Sequence, residues 1–320
     1  MGITSTISAV ACFGAIHIDL IAHADRPIRR ETSTPGRVAW RPGGVAANVA
    51  RGAVRLGVSC TLTGAIGRDR DGERLAGRLS AEGINLQLDR RDAATGRYIA
   101  LHDPDGTLAA ALVDAEITDT LPADALLPVA PAAIAAPLWF VEANLPAPVL
   151  AALAEAASGR RLAADAVSCA KAGRLSEILP HLDMLFLNRA EAAVLAGMEP
   201  DAAPERLAEA LLRRGAAALA LTDGAAPTVL ADGTGLYRIE PLPARPVDVT
   251  GAGDALVAGW LAATARGADR PAALQAGLAA AAITLETTGA VADNLDWVGL
   301  TRRLAAAKRD AGSATIKPRT

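Results

Sequence analysis

Five small residues in the last quarter of the chain, Thr250-Gly251-Ala252-Gly253-Asp254, carry its densest chemistry. An apolar run follows them (Ala255, Leu256, Val257, Ala258, Trp260), so the pattern is a loop opening into a buried helix. The first amides of such a helix have no intrahelical partner, and with the aligned peptide dipoles they form an anion site. Glycines at 251 and 253 let the backbone approach a phosphate with no Cβ in the way. Asp254 adds a carboxylate beside those amides, and a proton acceptor next to a phosphate suits phosphoryl transfer to an alcohol. The plainer reading is a Gly-rich turn whose Asp only complements the helix dipole. Because that dipole favours the ionised carboxylate, a weak base is predicted at 254.

A second motif lies near the other end, Pro42-Gly43-Gly44-Val45-Ala46-Ala47-Asn48. Two glycines open a helix whose apolar face carries Val45, Val49, Ala53 and Leu56. Asn48 falls one turn after Gly44 and projects beside that glycine corner, where a hydroxyl group meets bare amides. Asp19 shares a face of an extended segment with His17, and a carboxylate in a buried strand needs partners such as sugar hydroxyls or a backbone turn.

The elements that must position these groups alternate. Ile7–Leu20 reads as a first buried strand running past Gly14, with Asp19 near its end. Residues 21–42 are polar and punctuated by Pro27, Pro35-Gly36 and Pro42, which predicts a small β-rich flap. Ser59–Ile66 is the next strand, followed by a helix to about Ala81. Arg97–Leu101 and Leu108–Val113 flank Asp103-Pro104-Asp105-Gly106, a hairpin signal that joins the flap as a second β layer. From Leu138 onward strands at 138–141, 161–166, 184–187 and 217–222 alternate with helices near 147–157 and from 189. Two Ala-rich helices at about 271–285 and 296–307 close the chain, and the tail from Ala311 reads as frayed. Alternation of this kind predicts one α/β domain over 1–320, a mostly parallel sheet between two helix layers, with a lid formed by about 21–42 and 95–113. Ligands on such sheets sit at the carboxyl ends of the strands, where Asp19, Asn188, Thr222 and Asp254 are all expected.

Composition narrows the function classes. In 320 residues, 51% are hydrophobic and 21% charged, so a sizeable core is available. The net charge of −3 argues against a nucleic-acid surface. Cys12, Cys60 and Cys169 have no ligand spacing and read as small buried hydrophobes in a reducing compartment. The longest apolar tract, Ala125–Val141, holds Pro128, Pro131 and Pro137, so a loop leading into a core strand is expected instead of a membrane span. No basic segment precedes an apolar run at the N-terminus, and the Met1-Gly2…Thr6 match to a myristoylation pattern is too short to weigh. A cytoplasmic protein is expected. No G-x-x-x-x-G-K-[ST] run is present, which excludes a P-loop as the phosphate cradle.

Together, a Gly-Gly-x-x-x-Asn helix start about 40 residues in and Thr-Gly-Ala-Gly-Asp about 250 in resemble the ribokinase-like (PfkB) carbohydrate kinase family, over nearly the whole chain. The resemblance implies that Asp254 is the general base and that the amides of Gly251, Ala252 and Gly253 stabilise charge on the transferring phosphoryl group. It implies that Asp19, Gly43, Gly44 and Asn48 hold sugar hydroxyls. Asn188 and Glu191 match the family's N-x-x-E, which organises Mg²⁺ and its waters, and Thr222 and Gly224 fall on the ATP side. Asp248, Thr250 and the Gly289 region match positions that help to bind a monovalent cation such as K⁺. Within the family, Thr34-Pro35-Gly36-Arg37…Pro42-Gly43-Gly44-Val45, Leu101–Gly106 and Phe140–Leu145 are similar to segments of pseudouridine kinases. Thr34 replaces an Asn there, His17 stands where Asn is more frequent, and Pro227 where Gly is usual. That similarity implies transfer from ATP to the ribose 5′-hydroxyl of pseudouridine. Ribose, fructose or another nucleoside, or a non-catalytic sensor on the same fold, are the alternatives. The resemblance also implies a homodimer paired through the lid.

Overall fold

Gly14 decides the first branch of the chain. A Cβ there would lie 2.3 Å from Glu142 Oε1 and 2.7 Å from the Ala46 side chain, so the backbone passes where no side chain fits. The stretch expected as one strand is therefore broken into β1 (Ala9–Phe13), in the body, and β2 (His17–Ala24), in the lid. The lid begins at His17, not at 21, and Asp19 sits on a lid strand instead of at a core strand's end.

This computed structural model describes residues 9–311. The expected strand start at Ile7, the Met1-Gly2 pattern and the tail beyond Ala311 lie outside the described residues. The remaining strands are β3 (Gly36–Gly43), β4 (Ser59–Gly67), β5 (Asn85–Arg91), β6 (Arg97–His102), β7 (Leu108–Asp114) and β8 (Leu138–Glu142). They continue with β9 (Arg161–Asp165), β10 (Met184–Asn188), β11 (Ala218–Thr222), β12 (Thr228–Asp232) and β13 (Gly235–Ile239). The helices are α1 (Val45–Arg55), α2 (Arg70–Ala81), α3 (Glu116–Asp119), α4 (Pro131–Ile134), α5 (Ala147–Ala156) and α6 (Cys169–Ala172). They end with α7 (Arg189–Ala196), α8 (Pro204–Arg213), α9 (Ala252–Ala265), α10 (Arg270–Leu285) and α11 (Trp297–Ala311).

Among the described residues the body is a 9-stranded sheet, ordered β13-β12-β11-β10-β9-β8-β1-β4-β5. Every pairing from β11 to β5 is parallel, and only the β11–β12–β13 edge is antiparallel. One apolar cluster covers the face bearing α1, α2, α9 and α10, and a second the face bearing α5, α7 and α8. Strand order reverses between β1 and β8, the kind of place where doubly wound sheets bind ligands. The 4-stranded lid sheet runs β3-β2-β6-β7, antiparallel except for β2–β6. The Asp103–Gly106 turn joins β6 to β7 as expected. Sequence patterning passed over β5, the β12–β13 hairpin and α8.

Small residues bring the two motif helices together. A Cβ on Gly52 would lie 2.7 Å from Ala258 Cβ, so α1 and α9 touch backbone to methyl. Asn48 and Asp254 are one turn earlier on each helix, and this close approach is what lets their side chains meet. On the far side of α9, Gly259 and Gly277 leave room for α10; a Cβ on Gly277 would lie 2.5 Å from Leu256 O. No helix among the described residues is long and apolar enough to cross a membrane. Cys12 and Cys60 are buried with their Sγ atoms 3.5 Å apart, whereas Cys169, expected to be buried, is exposed.

Candidate active site

Gly251 caps α9 in the left-handed conformation (φ 75°), and a Cβ there would lie 2.2 Å from Ala290 O. No other residue type adopts that turn against that neighbour without strain. Gly253 is different, since a Cβ there would meet nothing within 4 Å. Its glycine leaves the amide face open to whatever fills the cavity, which is a ligand requirement and not a packing one. Ala252 donates a long bond (3.4 Å) back to Val249 O, so its N–H is less available than the sequence suggested.

Asp254 follows in the first turn and accepts a hydrogen bond from Asn48 Nδ2 at 2.9 Å. Dense surrounding protein drives its carboxyl up to about 7. The Asn48 bond opposes that rise, the nearby charges of Glu142 and Asp19 add to it, and His17 opposes it. This reverses the expectation of a weak base, because burial outweighs the helix dipole. Asn48 in turn faces Arg51 Nη1 at 3.5 Å, and Glu82 grips Arg51 with bonds of 2.6 and 3.2 Å.

A cavity of about 230 Å³ opens in front of Asp254, lined by Asp165, Asn188, Glu191, Thr222 and Gly253 among others. Asn188 and Glu191 form a capping box at the start of α7. Asn188 Oδ1 accepts from Glu191 N–H at 3.0 Å, and Glu191 Oε2 accepts from Asn188 N–H at 2.8 Å. Thr222 pairs with Asn188 across β10–β11 and stands at the same strand ends. Gly224 takes φ 58° in the next turn and is not part of this cavity wall.

Sequence reasoning missed Asp165 and Glu142. Asp165 ends β9, and its position at a strand's carboxyl end was the available signal. Its Oδ1 accepts from Val167 N–H at 2.7 Å. Val167 sits at φ 64°, a strained place for a β-branched residue and the kind found at ligand sites. Burial pushes Asp165 well above the usual carboxylate range, and the charges of Glu191 and Asp254 push it further. Glu191 is raised as well, chiefly by burial. Glu142 is fully buried at the end of β8, its two oxygens taking the N–H groups of Ala15 (2.6 Å) and Asn144 (2.7 Å). It pins the crossing from β1 to β2, and burial raises its pKa too.

On the lid side, Asp19 approaches His17 Nε2 at 3.2 Å, yet its buried Oδ1 makes no hydrogen bond. A Cβ on Gly43 would lie 2.1 Å from that same oxygen, and one on Gly44 (φ 100°) would lie 2.1 Å from Ala15 O. The Gly-Gly corner is therefore required by Asp19 and by the chain crossing at once. Asp19 lines a larger cavity, about 790 Å³, with Ile21, His23, Trp40, Arg41 and His102 among its walls. His23 and His102 stack here with ring centres 5.1 Å apart. Asp19 and Asp254 thus line separate cavities, and the Gly43–Asn48 segment touches Asp19 at one end and bonds Asp254 at the other. The Asp248 carboxylate gathers Thr250 N–H and Gly289 N–H at 2.9 Å each. Burial would raise it, but those two amides, the Thr250 side chain and the charge of Arg41 together hold it low.

A buried carboxyl beside helix-start amides, hydrogen-bonded to Asn48 of the Gly-Gly helix, is an arrangement that suits phosphoryl transfer to an alcohol. The description "pfkB family carbohydrate kinase" matches residues 8–297, and the chain belongs to that family. It is similar to the pseudouridine kinase of Escherichia coli (strain K12), 26% identical over 255 residues, 78% of this chain and 82% of the relative. It is also similar to the fructoselysine 6-kinase of Shigella flexneri, 28% identical over 251 residues, 78% of this chain and 91% of the relative. Among solved structures, a carbohydrate kinase from Agrobacterium tumefaciens superposes with a TM-score of 0.83 at 32% identity, over 93% of this chain and 97% of that one. The chain is therefore an ATP-dependent carbohydrate or nucleoside kinase.

Proposed function

We propose that the enzyme phosphorylates the ribose 5′-hydroxyl of a nucleoside, with pseudouridine as the acceptor. The observation that carries the reaction is the Asn48–Asp254 hydrogen bond, which ties the acceptor corner to the base. Asp254 takes the proton of the acceptor hydroxyl as that oxygen bonds to the γ-phosphorus of ATP. The bond from that phosphorus to the bridging oxygen breaks, and ADP leaves with its electron pair. The Gly251 and Gly253 amides, and Ala252 to a lesser degree, meet the developing charge. Asp19, Gly43, Gly44 and Asn48 hold the sugar hydroxyls.

Among the described residues no three His, Cys, Asp or Glu side chains cluster as a metal cage. The raised carboxyls around the smaller cavity nonetheless suit a cation shared with phosphates and waters. Asn188 and Glu191 would hold Mg²⁺ through water, since the capping box occupies one oxygen of each. Bound there, Mg²⁺ offsets phosphate charge. Asp248, Thr250 and Gly289 would face K⁺, and Thr222 with Gly224 the nucleotide.

Pseudouridine, uridine, ribose and fructose, each with ATP, test the reading through ADP release. Turnover of ribose or fructose with none of pseudouridine sinks the acceptor assignment. Binding of nucleoside with no ADP from any acceptor favours a sensor. We further propose pairing of two copies through the lid, where β7 leaves Leu108, Leu112 and Val113 54%, 59% and 57% exposed. A monomer by light scattering removes that proposal.

A further inference from the structure

Arg41 stands directly opposite Asp19 in the β2–β3 register, so the two side chains share a face of the lid. Both line the larger cavity. Cross-strand partners of opposite charge would ordinarily close an ion pair, and these do not. Asp19 Oδ1 faces His17 Nε2 at 3.2 Å instead, buried and without a hydrogen bond, and among the described residues Arg41 has no ion pair or hydrogen bond. The other arginines of that wall are differently placed. Glu82 takes Arg51 in two bonds and Arg78 in a third at 2.9 Å, while Arg74 lies over the Trp40 ring at 4.1 Å. The Arg41 charge helps to hold Asp248 ionised, but the Asp248 oxygens take backbone N–H groups and accept no hydrogen bond from the guanidinium. Its guanidinium rests on Gly289, where a Cβ would lie 2.0 Å from Nη1, so an added side chain there would displace it.

A half-buried fork of donors with no protein acceptor is poised for one brought by the ligand. The cavity continues past Asp19 along alternate residues of β2, through Ile21 to the His23–His102 stack. At about 790 Å³ it lies within the roughly 300–1,000 Å³ of sites for ligands larger than a lone sugar ring. Asn48 bonds Asp254 and Gly43 packs on Asp19; with the reacting hydroxyl at Asp254, an acceptor that reaches Asp19 meets Arg41 on the same lid face.

We propose that Arg41 is a specificity residue, donating its fork to acceptor oxygens on the group the sugar carries away from the reacting hydroxyl. Those oxygens belong to the carbonyls of a base or to an acid group. The inference rests on the kinase reading of this site, and it does not require pseudouridine itself.

The experiment compares wild type, Arg41→Ala and Arg41→Lys on ribose, pseudouridine and ribose 1-phosphate, with kcat and KM measured separately. Wild type is expected to favour an acceptor bearing the extra group over ribose. Arg41→Ala should lose about 10- to 100-fold more kcat/KM on that acceptor than on ribose, mostly in KM. Arg41→Lys should recover part of the loss with an acid group and less with paired carbonyls. An excess loss confined to ribose 1-phosphate keeps the inference and removes the pseudouridine reading. Equal losses on all three acceptors, no loss, or a wild type that prefers ribose overturns the inference while leaving the kinase reading standing. Because ribose is measured with the same variant, a general folding defect shows as an equal loss.

Discussion

The cavity in front of Asp254, about 230 Å³, is walled by strand ends and helix starts of the body, whereas the acceptor cavity, about 790 Å³, takes much of its wall from the lid. In the smaller one, burial raises the carboxyls of Asp165, Glu191 and Asp254, and the charges of Glu191 and Asp254 raise Asp165 further. The larger one carries an Arg41 guanidinium with no hydrogen bond among the described residues, and buried polar atoms of Asp19 and Trp40 that also lack one. The first gathers the carboxyl ends of β9, β10 and β11 around the start of α9. The second sets the β2–β3 face of the lid against the Val247–Thr250 and Thr288–Val291 segments of the body. The difference suggests that the reaction belongs to the body and the choice of acceptor to the lid.

Removing the base breaks that division most directly. Asp254→Asn should lower turnover on the order of 10²- to 10⁴-fold while leaving acceptor binding largely intact. Near-normal turnover would take Asp254 out of the chemistry. The same variant has a stability signature. Asp254 is raised in the folded state to about 7 from an ordinary 3.8, so its contribution is present below pH 3.8 and is lost as pH rises through about 7. The Asn variant should therefore melt several degrees higher than wild type at pH 8, with the gap closing toward pH 4. An equal gap at both pH values would show that Asp254 is not strained by its charge.

The two glycines of the turn sharpen the contrast between packing and ligand space. Gly251→Ala puts a Cβ 2.2 Å from Ala290 O at a positive φ, so it should cost both stability and activity. Gly253→Ala meets no protein atom within 4 Å, so its unfolding free energy should stay within about 1 kcal/mol of wild type. Its turnover should still fall on the order of 10²-fold, as for a damaged anion hole. Full activity in Gly253→Ala would place the phosphates elsewhere.

Asn48 ties the Gly-Gly helix to Asp254. Its hydrogen bond lowers the Asp254 pKa, so Asn48→Ala should move the acid limb of kcat/KM to higher pH and cut activity about 10- to 100-fold. A limb that moves to lower pH, or not at all, would contradict that coupling. The smallest effect is expected at Glu191. Glu191→Ala loses the capping box and about 1 kcal/mol, whereas Glu191→Gln keeps the cap. Both should raise the Mg²⁺ concentration needed for half-maximal rate. A normal Mg²⁺ dependence in both would reduce Asn188-x-x-Glu191 to a helix cap alone.

Much of the body was legible because its signals are local. The alternation of strands and helices, the buried face of α1 and the Gly-rich start of α9 all follow from residue periodicity and backbone permissiveness. Gly14 was harder, because its role depends on Glu142, distant in sequence and close only after β1 and β8 pair. Without that contact the run from Ile7 to Leu20 reads as one strand, and Asp19 lands on the wrong element. Asp165 carried a weak signal, since a lone Asp after a short strand is common. The high pKa of Asp254 could not be foreseen either, because the local dipole points the other way and only assembled neighbours supply the burial.

By itself, the order of residues determined which backbone could bare its amides to an anion and where a carboxylate would sit beside them, because both depend on side chains a few positions apart. Only the tertiary structure decided how basic that carboxylate is, which strands make the lid, and that Arg41 faces Asp19 without bonding to it. Those outcomes depend on burial and on the pairing of distant strands, and neither is a property of any short stretch of chain.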